Sequence, residues 1–428
     1  MNFDLLSHTI LVTIAGSRAY GLHTDTSDVD IKGVAIPPKR YMLGYLQKFE
    51  QADKPSQVAV FEQFMNPTEK DAIKREKLEG SIYNIQKFVA LAADCNPNIL
   101  DVLFCRDEEV RHTTKLGTRL RENRDLFISA KAKHTFSGYA AAQLKRIRGH
   151  RAWLLNPPKG KPTRADFGLP ETTLIPGNQL AAARAVVQKQ IDRWEIDWGS
   201  MADSEKVYVT GQVLQYLGEI SAALGNPGDR AALQEALDTL QGVVGGNYES
   251  GPDVEYGAYQ AIQIIEGALE KGGPGISEAK WLAGARTVGL DENLIYVMQK
   301  EREYEAAHQH WKQYQNWKKS RNPARAAMEA ESGFDRKHGA HLVRLLRMGR
   351  EILETGQVNV WRGDIDAEEL QAIRAGAWSY EQLVEWADAE DKALQTLYKQ
   401  RKYVVRNHPD RMALDNLCVE LVSEFYDI

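Results

Sequence analysis

Apolar positions follow two rhythms along this chain. Up to about residue 125 they come in short runs and alternations, and beyond it they recur at helical spacing. Thr9-Ile10-Leu11-Val12-Thr13-Ile14-Ala15 is a run of the length and β-branched content of a buried strand. Gly16-Ser17 ends it. Asp28-Val29-Asp30-Ile31 alternates polar and apolar and predicts the start of a second strand. Side chains at i and i+2 share a face there, so Asp28 and Asp30 project together while Val29 and Ile31 face a core. Val34-Ala35-Ile36 continues the strand until Pro37-Pro38 stops it. Residues 40–78 are polar and mixed, with Pro55 and Pro67 expected to break any long element. Glu79 to Ile85 reads as a strand, Lys87 to Asp94 as a helix, and Ile99 to Phe104 as a further apolar segment.

Helical spacing then takes over. It predicts one helix or two over Lys131–Leu155, and helices over Ala181–Trp198, Lys206–Ala223, Asn293–Lys319 and Asp335–Leu353, the last closed by Gly356. Ala367–Ala375, Ser379–Lys402 and Asp410–Glu424 follow. Prolines and glycines mark a surface loop at 156–182, and glycine-rich breaks lie near 242–251 and 272–275. No fixed-period repeat and no low-complexity tract is present.

Composition narrows the class. The chain has 428 residues, enough for two or three domains, with 43% hydrophobic and 26% charged residues, as in ordinary globular proteins. Its net charge of −5 excludes a generally basic nucleic-acid coat, so any polyanion site must be a local patch. The three cysteines, Cys95, Cys105 and Cys418, have no metal or redox spacing. Reduced thiols and a cytoplasmic setting are expected. The sequence has no leader-like start and no long apolar stretch, so neither secretion nor a membrane partner is expected.

The chemistry concentrates in Gly16 to Gly33. Gly16-Ser17 after a strand offers backbone N–H groups to an anion. Asp28 and Asp30, side by side, repel unless a cation lies between them. A phosphate cradle beside paired carboxylates is what metal-assisted nucleotidyl transfer requires. Hard oxygen ligands favour Mg²⁺ or Mn²⁺, and two ions are expected. The competing reading is an acidic turn in Thr24-Asp25-Thr26-Ser27.

The run Gly16-Ser17-Arg18-Ala19-Tyr20-Gly21-Leu22 followed by Ser27-Asp28-Val29-Asp30-Ile31-Lys32-Gly33-Val34 resembles the DNA polymerase β nucleotidyltransferase superfamily, in the form of its RlaP-like, RNA-repair-associated branch. Tyr83 to Phe88, Asn96 to Asp101, Gly138-Tyr139-Ala140 with Gln143-Leu144, and Lys337 to Arg344 also resemble that branch. The resemblance implies a mixed sheet with flanking helices as the catalytic domain over 1–128. A mainly α-helical region over 129–428 would follow, with loop-rich insertions near 156–182 and 242–283. It also implies a third carboxylate on a later strand. Glu79 is the choice, although the branch more often has Asp there, and Asp71 and Glu62 are its rivals. Asp101 is read as a hydrogen-bond partner.

Further assignments follow from the same pattern. Ser17 should bind the triphosphate. Arg18 contacts phosphate or faces solvent, and Lys32 meets substrate or pairs with an aspartate. Lys337, His341 and Arg344, at i, i+4 and i+7, share a helix face suited to a nucleotide. His338 lies one step round. Residues 131–164 hold nine Lys or Arg and no acid, and Lys145, Arg146, Arg148 and Arg151 are candidates for nucleic-acid contact. Residues 306–328 are also acid-free, and interleave Trp311, Tyr314 and Trp317 with lysines. These aromatics are either core or a stacking platform. Tyr426, near the chain end, either docks the last helix or primes synthesis through its hydroxyl.

The expected reaction is template-independent transfer of NMP or dNMP from a nucleoside triphosphate to a hydroxyl, releasing pyrophosphate. An RNA, DNA or oligonucleotide acceptor or product is the expected partner. The alternatives are RNA or tRNA end repair, an oligonucleotide signal in anti-phage defence, modification of a protein hydroxyl, and a non-catalytic nucleic-acid-binding protein.

Overall fold

The structure is a computed structural model. It describes residues 3–25, 27–75, 78–173, 175–194, 218, 221, 227–244, 274–321, 329 and 331–427. A mixed five-stranded sheet with flanking helices occupies the N-terminal part, and helices dominate the rest. The strands are β1 (Thr9–Ala15), β2 (Asp30–Ala35), β3 (Gln51–Ala52), β4 (Glu79–Asn84) and β5 (Val110–Thr113), in the order β3-β4-β2-β1-β5. β2 and β4 run parallel, and the other pairings are antiparallel.

Every residue of β1 is buried, as its unbroken apolar run requires of a strand covered on both faces. Along β2 the alternation assigns the faces. Val29, Ile31 and Ala35 join one core with Val12, Ile14, Phe61 and Ile82. Asp30, Lys32 and Val34 therefore face the opposite side, where Val34 enters the larger core. That core draws on the helices Ile85–Ala93, Pro97–Phe104, Ala132–Leu155 and Arg336–Thr355, through residues such as Phe88, Leu100, Phe136, Val343 and Leu346. The polar side of β2 thus lies on the face that the helix Arg336–Thr355 covers.

Two segments of the first 128 residues take a more definite form. Pro55 and Pro67 stand at element boundaries, as expected, and begin the helices Pro55–Val58 and Pro67–Arg75. Proline suits the first helical position, where its fixed φ fits and its missing N–H has no partner to lose. The apolar segment after Asn96 is a helix, Pro97–Phe104. The Asn96 side chain caps it by accepting the Asn98 N–H at 3.0 Å. The edge strands β3 and β5 are too short to announce themselves in the sequence.

The chain forms two compact units, residues 1–157 with 320–428, and residues 158–319. This division differs from a cut at residue 128, because the helices Ala132–Leu155, Arg336–Thr355, Tyr380–Lys399 and Arg411–Phe425 all contribute to the core on the sheet's face. The second unit contains the helices Gly177–Trp194, Pro227–Val244, Pro274–Thr287 and Glu292–Ser320. Leu180, Val187, Ile191, Trp281, Ile295 and Met298 form a core there. Arg164 holds the buried Glu301 with a pair of hydrogen bonds, at 2.8 and 2.5 Å. The ends of the expected break near 242–283 are helical, and 245–273 lie outside the described residues. So does nearly all of the helix expected over Lys206–Ala223.

Candidate active site

Strand register builds the acidic side of the site. Ala15, the last residue of β1, pairs with Asp30, and Asp30 pairs with Glu79, the first residue of β4. Asp28 precedes β2 by two residues, and the buried Val29 and Ile31 keep it on the side of Asp30. A cavity of about 730 Å³ opens at these strand ends. Gly16, Ser17, Asp28, Asp30 and Glu79 line it. So do Lys337, His338, His341 and Arg344 from the helix Arg336–Thr355. Residues more than 250 positions apart in the sequence thus meet around one space.

Gly16 has φ +63, and a Cβ there would collide with the Asp30 carboxylate. Only glycine lets the turn after β1 pass so close to that acid. The Asp30 carboxyl is pushed up to about 6, first by burial and then by the Asp28 charge, with Glu79 adding to it. These acids are hard oxygen donors crowded enough to gain from a cation, so the residues fit divalent metal. Among the described residues, no group of three or more His, Cys, Asp or Glu is already gathered as a ligand set.

The basic side is equally specific. Arg344 is buried, with its guanidinium 3.6 Å from the centre of the Tyr20 ring. It donates to the Met348 sulfur at 3.0 Å and has no carboxylate in salt-bridge reach among the described residues. A buried cation without an anion is costly, and a phosphate in the cavity would offset that cost. Burial and the neighbouring charges of Arg344, His338, Lys32 and Lys337 depress the His341 imidazole to about 3, so it is neutral near pH 7. Lys337 is exposed at the rim.

Several assignments are corrected by their surroundings. Arg18 neither meets the cavity nor faces solvent freely. Its Nε donates to the Asp28 carbonyl and its Nη2 to the Ser27 carbonyl, both at 3.1 Å, so it shapes the loop that presents Asp28. Lys32 lines the cavity and is held there by Asn98, donating to its carbonyl at 3.0 Å and its side-chain oxygen at 3.3 Å, so only its pairing with an aspartate is corrected. Arg151 stacks over Tyr380 at 4.1 Å and pairs with Glu381 at 3.1 Å. Arg148 lies 3.9 Å from Asp388, while Lys145 and Arg146 are exposed. Tyr426 lines a different cavity with Met42, Val89 and Cys418, and its hydroxyl donates to the Pro37 carbonyl. It therefore docks the last helix, and priming through its hydroxyl is not supported by this placement. The rivals Asp71 and Glu62 do not line the acidic cavity.

Tyr20, Asn98 and Arg374 were missed as site residues. All three line the cavity. The Tyr20 hydroxyl donates to the buried Asp101 at 2.5 Å, the partner role read for Asp101 from sequence. Burial raises the Tyr20 phenol far above its usual range. Tyr20 and Asn98 both belong to motifs visible in the sequence, but neither residue type points to phosphate chemistry by itself.

Residues 6–153 match a family model described as RNA repair pathway DNA polymerase beta family, RlaP. A phage T4 protein, titled "Uncharacterized 38.9 kDa protein in nrdC-mobD intergenic region", is 27% identical over 148 residues. The match covers 33% of this chain and 40% of the phage protein. No solved structure matches the chain. The matched segment carries Gly16, Ser17, Asp28, Asp30 and Glu79, while Lys337, His341 and Arg344 lie beyond it. Over residues 6–153, the chain is similar to the RlaP type of the DNA polymerase β family.

Proposed function

We propose that this protein is a metal-dependent nucleotidyltransferase. It transfers NMP or dNMP from a nucleoside triphosphate to an acceptor hydroxyl without a template and releases pyrophosphate. The observation carrying this reading is the bipolar cavity, with Asp28, Asp30 and Glu79 at adjoining strand ends and Lys337, His341 and Arg344 on one helix. Asp28, Asp30 and Glu79 would hold Mg²⁺ or Mn²⁺. Two such ions, when bound, supply activation of a hydroxyl and stabilisation of phosphoryl charge.

The chain's own residues divide the remaining work. Gly16 and Ser17 bound the space beside Asp30 and accommodate phosphate. Arg344 and Lys337 bring positive charge to the triphosphate, and neutral His341 supplies a hydrogen bond. In-line attack of the hydroxyl oxygen on the α-phosphorus forms the new ester bond as the bond to pyrophosphate breaks. The family description, an RNA repair pathway, supports RNA as the acceptor. A cytoplasmic setting suits that role.

The test uses each labelled NTP and dNTP with Mg²⁺ or Mn²⁺ and short RNA or DNA acceptors. Extension of the acceptor with stoichiometric pyrophosphate, lost in Asp30→Asn, is expected. Failure of every nucleotide, acceptor and metal combination to release pyrophosphate would overturn the reading.

A further inference from the structure

The helix Glu292–Ser320 carries a ladder of rings that the nucleotide cavity does not use. Tyr304, His308 and Trp311 lie at i, i+4 and i+7 and so share one face. Their planes are nearly parallel. Tyr304 and His308 are 5.7 Å apart at 18°, and His308 and Trp311 are 6.2 Å apart at 12°. Together they span about 10 Å of helix. One end of the ladder is closed, where Phe167 meets Tyr304 edge-on at 5.9 Å and Arg164 lies over the same ring. At the other end, Trp311 has no second ring contact among the described residues. All three rings are half-buried and keep surface for a ligand.

Charge changes along the same helix. Its first half contains Glu292, Glu301, Glu303 and Glu305, and no acid follows to Ser320. Lys312, Lys318 and Lys319 in that second half are exposed and form no ion pair among the described residues. Packing alone would explain apolar rings. It does not explain near-parallel, stacked rings, one of them histidine, running into an acid-free basic segment.

We infer that Trp311 and the ladder behind it bind a single-stranded nucleic acid. A base stacks on the open face of Trp311, and Lys312, Lys318 and Lys319 meet the phosphates. Stacking recognises any base, so this surface gives affinity without sequence preference, as a template-independent enzyme needs of its acceptor site. Only the strand's role as acceptor rests on the proposed transferase activity. Binding itself does not.

The test is anisotropy of a labelled single-stranded RNA of about ten nucleotides with the full chain in EDTA, where turnover is silent. Trp311→Ala should weaken binding by about tenfold or more, within the range for one stacked base, and Trp311→Phe should recover most of it. Lys312→Glu with Lys318→Glu should flatten the salt dependence by about 0.7 per lost phosphate contact. A duplex of the same length should compete poorly. Equal affinity of wild type and Trp311→Ala would overturn the inference, and so would absence of binding by wild type. If Trp311→Ala loses thermal stability, the lysine pair decides the matter by its salt slope alone. Strand binding without nucleotide transfer would reject the transferase reading and keep this surface. Transfer without a Trp311 effect would do the reverse.

Discussion

Asp30 and His341 line one cavity under opposite electrostatic pressures. Asp30 resists ionisation because burial and Asp28 oppose its charge, and His341 resists protonation because burial and neighbouring basic groups, Arg344 first among them, do. Asp28→Asn or Asp30→Asn should reduce turnover to background while leaving the fold intact, since each removes one of two repelling charges. Normal pyrophosphate release in both variants, with unchanged circular dichroism, would reject their role. For His341 the sign is fixed by the direction of its shift. Its folded pKa lies below the ordinary 6.5, so the unfolded chain binds the extra proton, and stability is lost as pH falls from about 6.5 towards 3. Urea midpoints should therefore drop over that window in wild type and drop less in His341→Gln. Parallel midpoint curves for the two proteins would show that His341 titrates normally. The basic groups responsible, Arg344, His338, Lys32 and Lys337, come from two elements, so no inspection of the helix sequence alone reveals the shift.

At the scale of elements, the turn after β1 is fixed from a distance. Tyr20 accepts the Arg362 backbone N–H at 3.1 Å, Leu22 accepts from the Arg374 guanidinium, and Gly21, at φ +72, lies against the Trp361 ring. Arg106 stacks on that ring at 3.5 Å. A Cβ at Gly21 would come 2.9 Å from Trp361, so glycine is needed here for contact as well as conformation. Trp361→Ala should release the turn and lower kcat/KM for the nucleotide by up to about a hundredfold, the scale of an ångström-sized misplacement, with Trp361→Phe retaining more activity. Steady-state kinetics on both variants checks it, and wild-type kcat/KM in Trp361→Ala would remove Trp361 from the account. The sequence disclosed β1, β2, β4 and the pairing of Asp28 with Asp30, because alternation and a run of β-branched residues are local signals. It did not disclose Tyr20, Asn98, Arg374 or Trp361. Their roles depend on which distant element packs against the turn, and such contacts leave no period in the chain. The Arg18 assignment failed for a related reason, since a guanidinium beside a phosphate-type turn can equally satisfy the turn's own carbonyls.

For the whole molecule, the segment that matches the family and the segment that forms a core are not the same. Residues 6–153 carry the acids, but the sheet face beside them is covered by the helix Arg336–Thr355 and its neighbours. Leu342, Val343, Leu345, Leu346, Ile352 and Leu353 are all buried in that core, and each fully buried aliphatic side chain contributes about 1.5–3 kcal/mol. Losing all six is comparable to the whole marginal stability of a small domain. Arg344 and His341 would leave with them, so a fragment ending at residue 128 loses both its covering layer and the basic side of its cavity. Such a fragment should expose apolar surface, show no cooperative thermal transition and bind no nucleotide, while the full chain melts cooperatively. Differential scanning calorimetry and dye binding on the two proteins test this directly. A sharp melt of residues 1–128 would mean that the sheet and its own helices hold an independent core, and that the C-terminal helices serve the site alone.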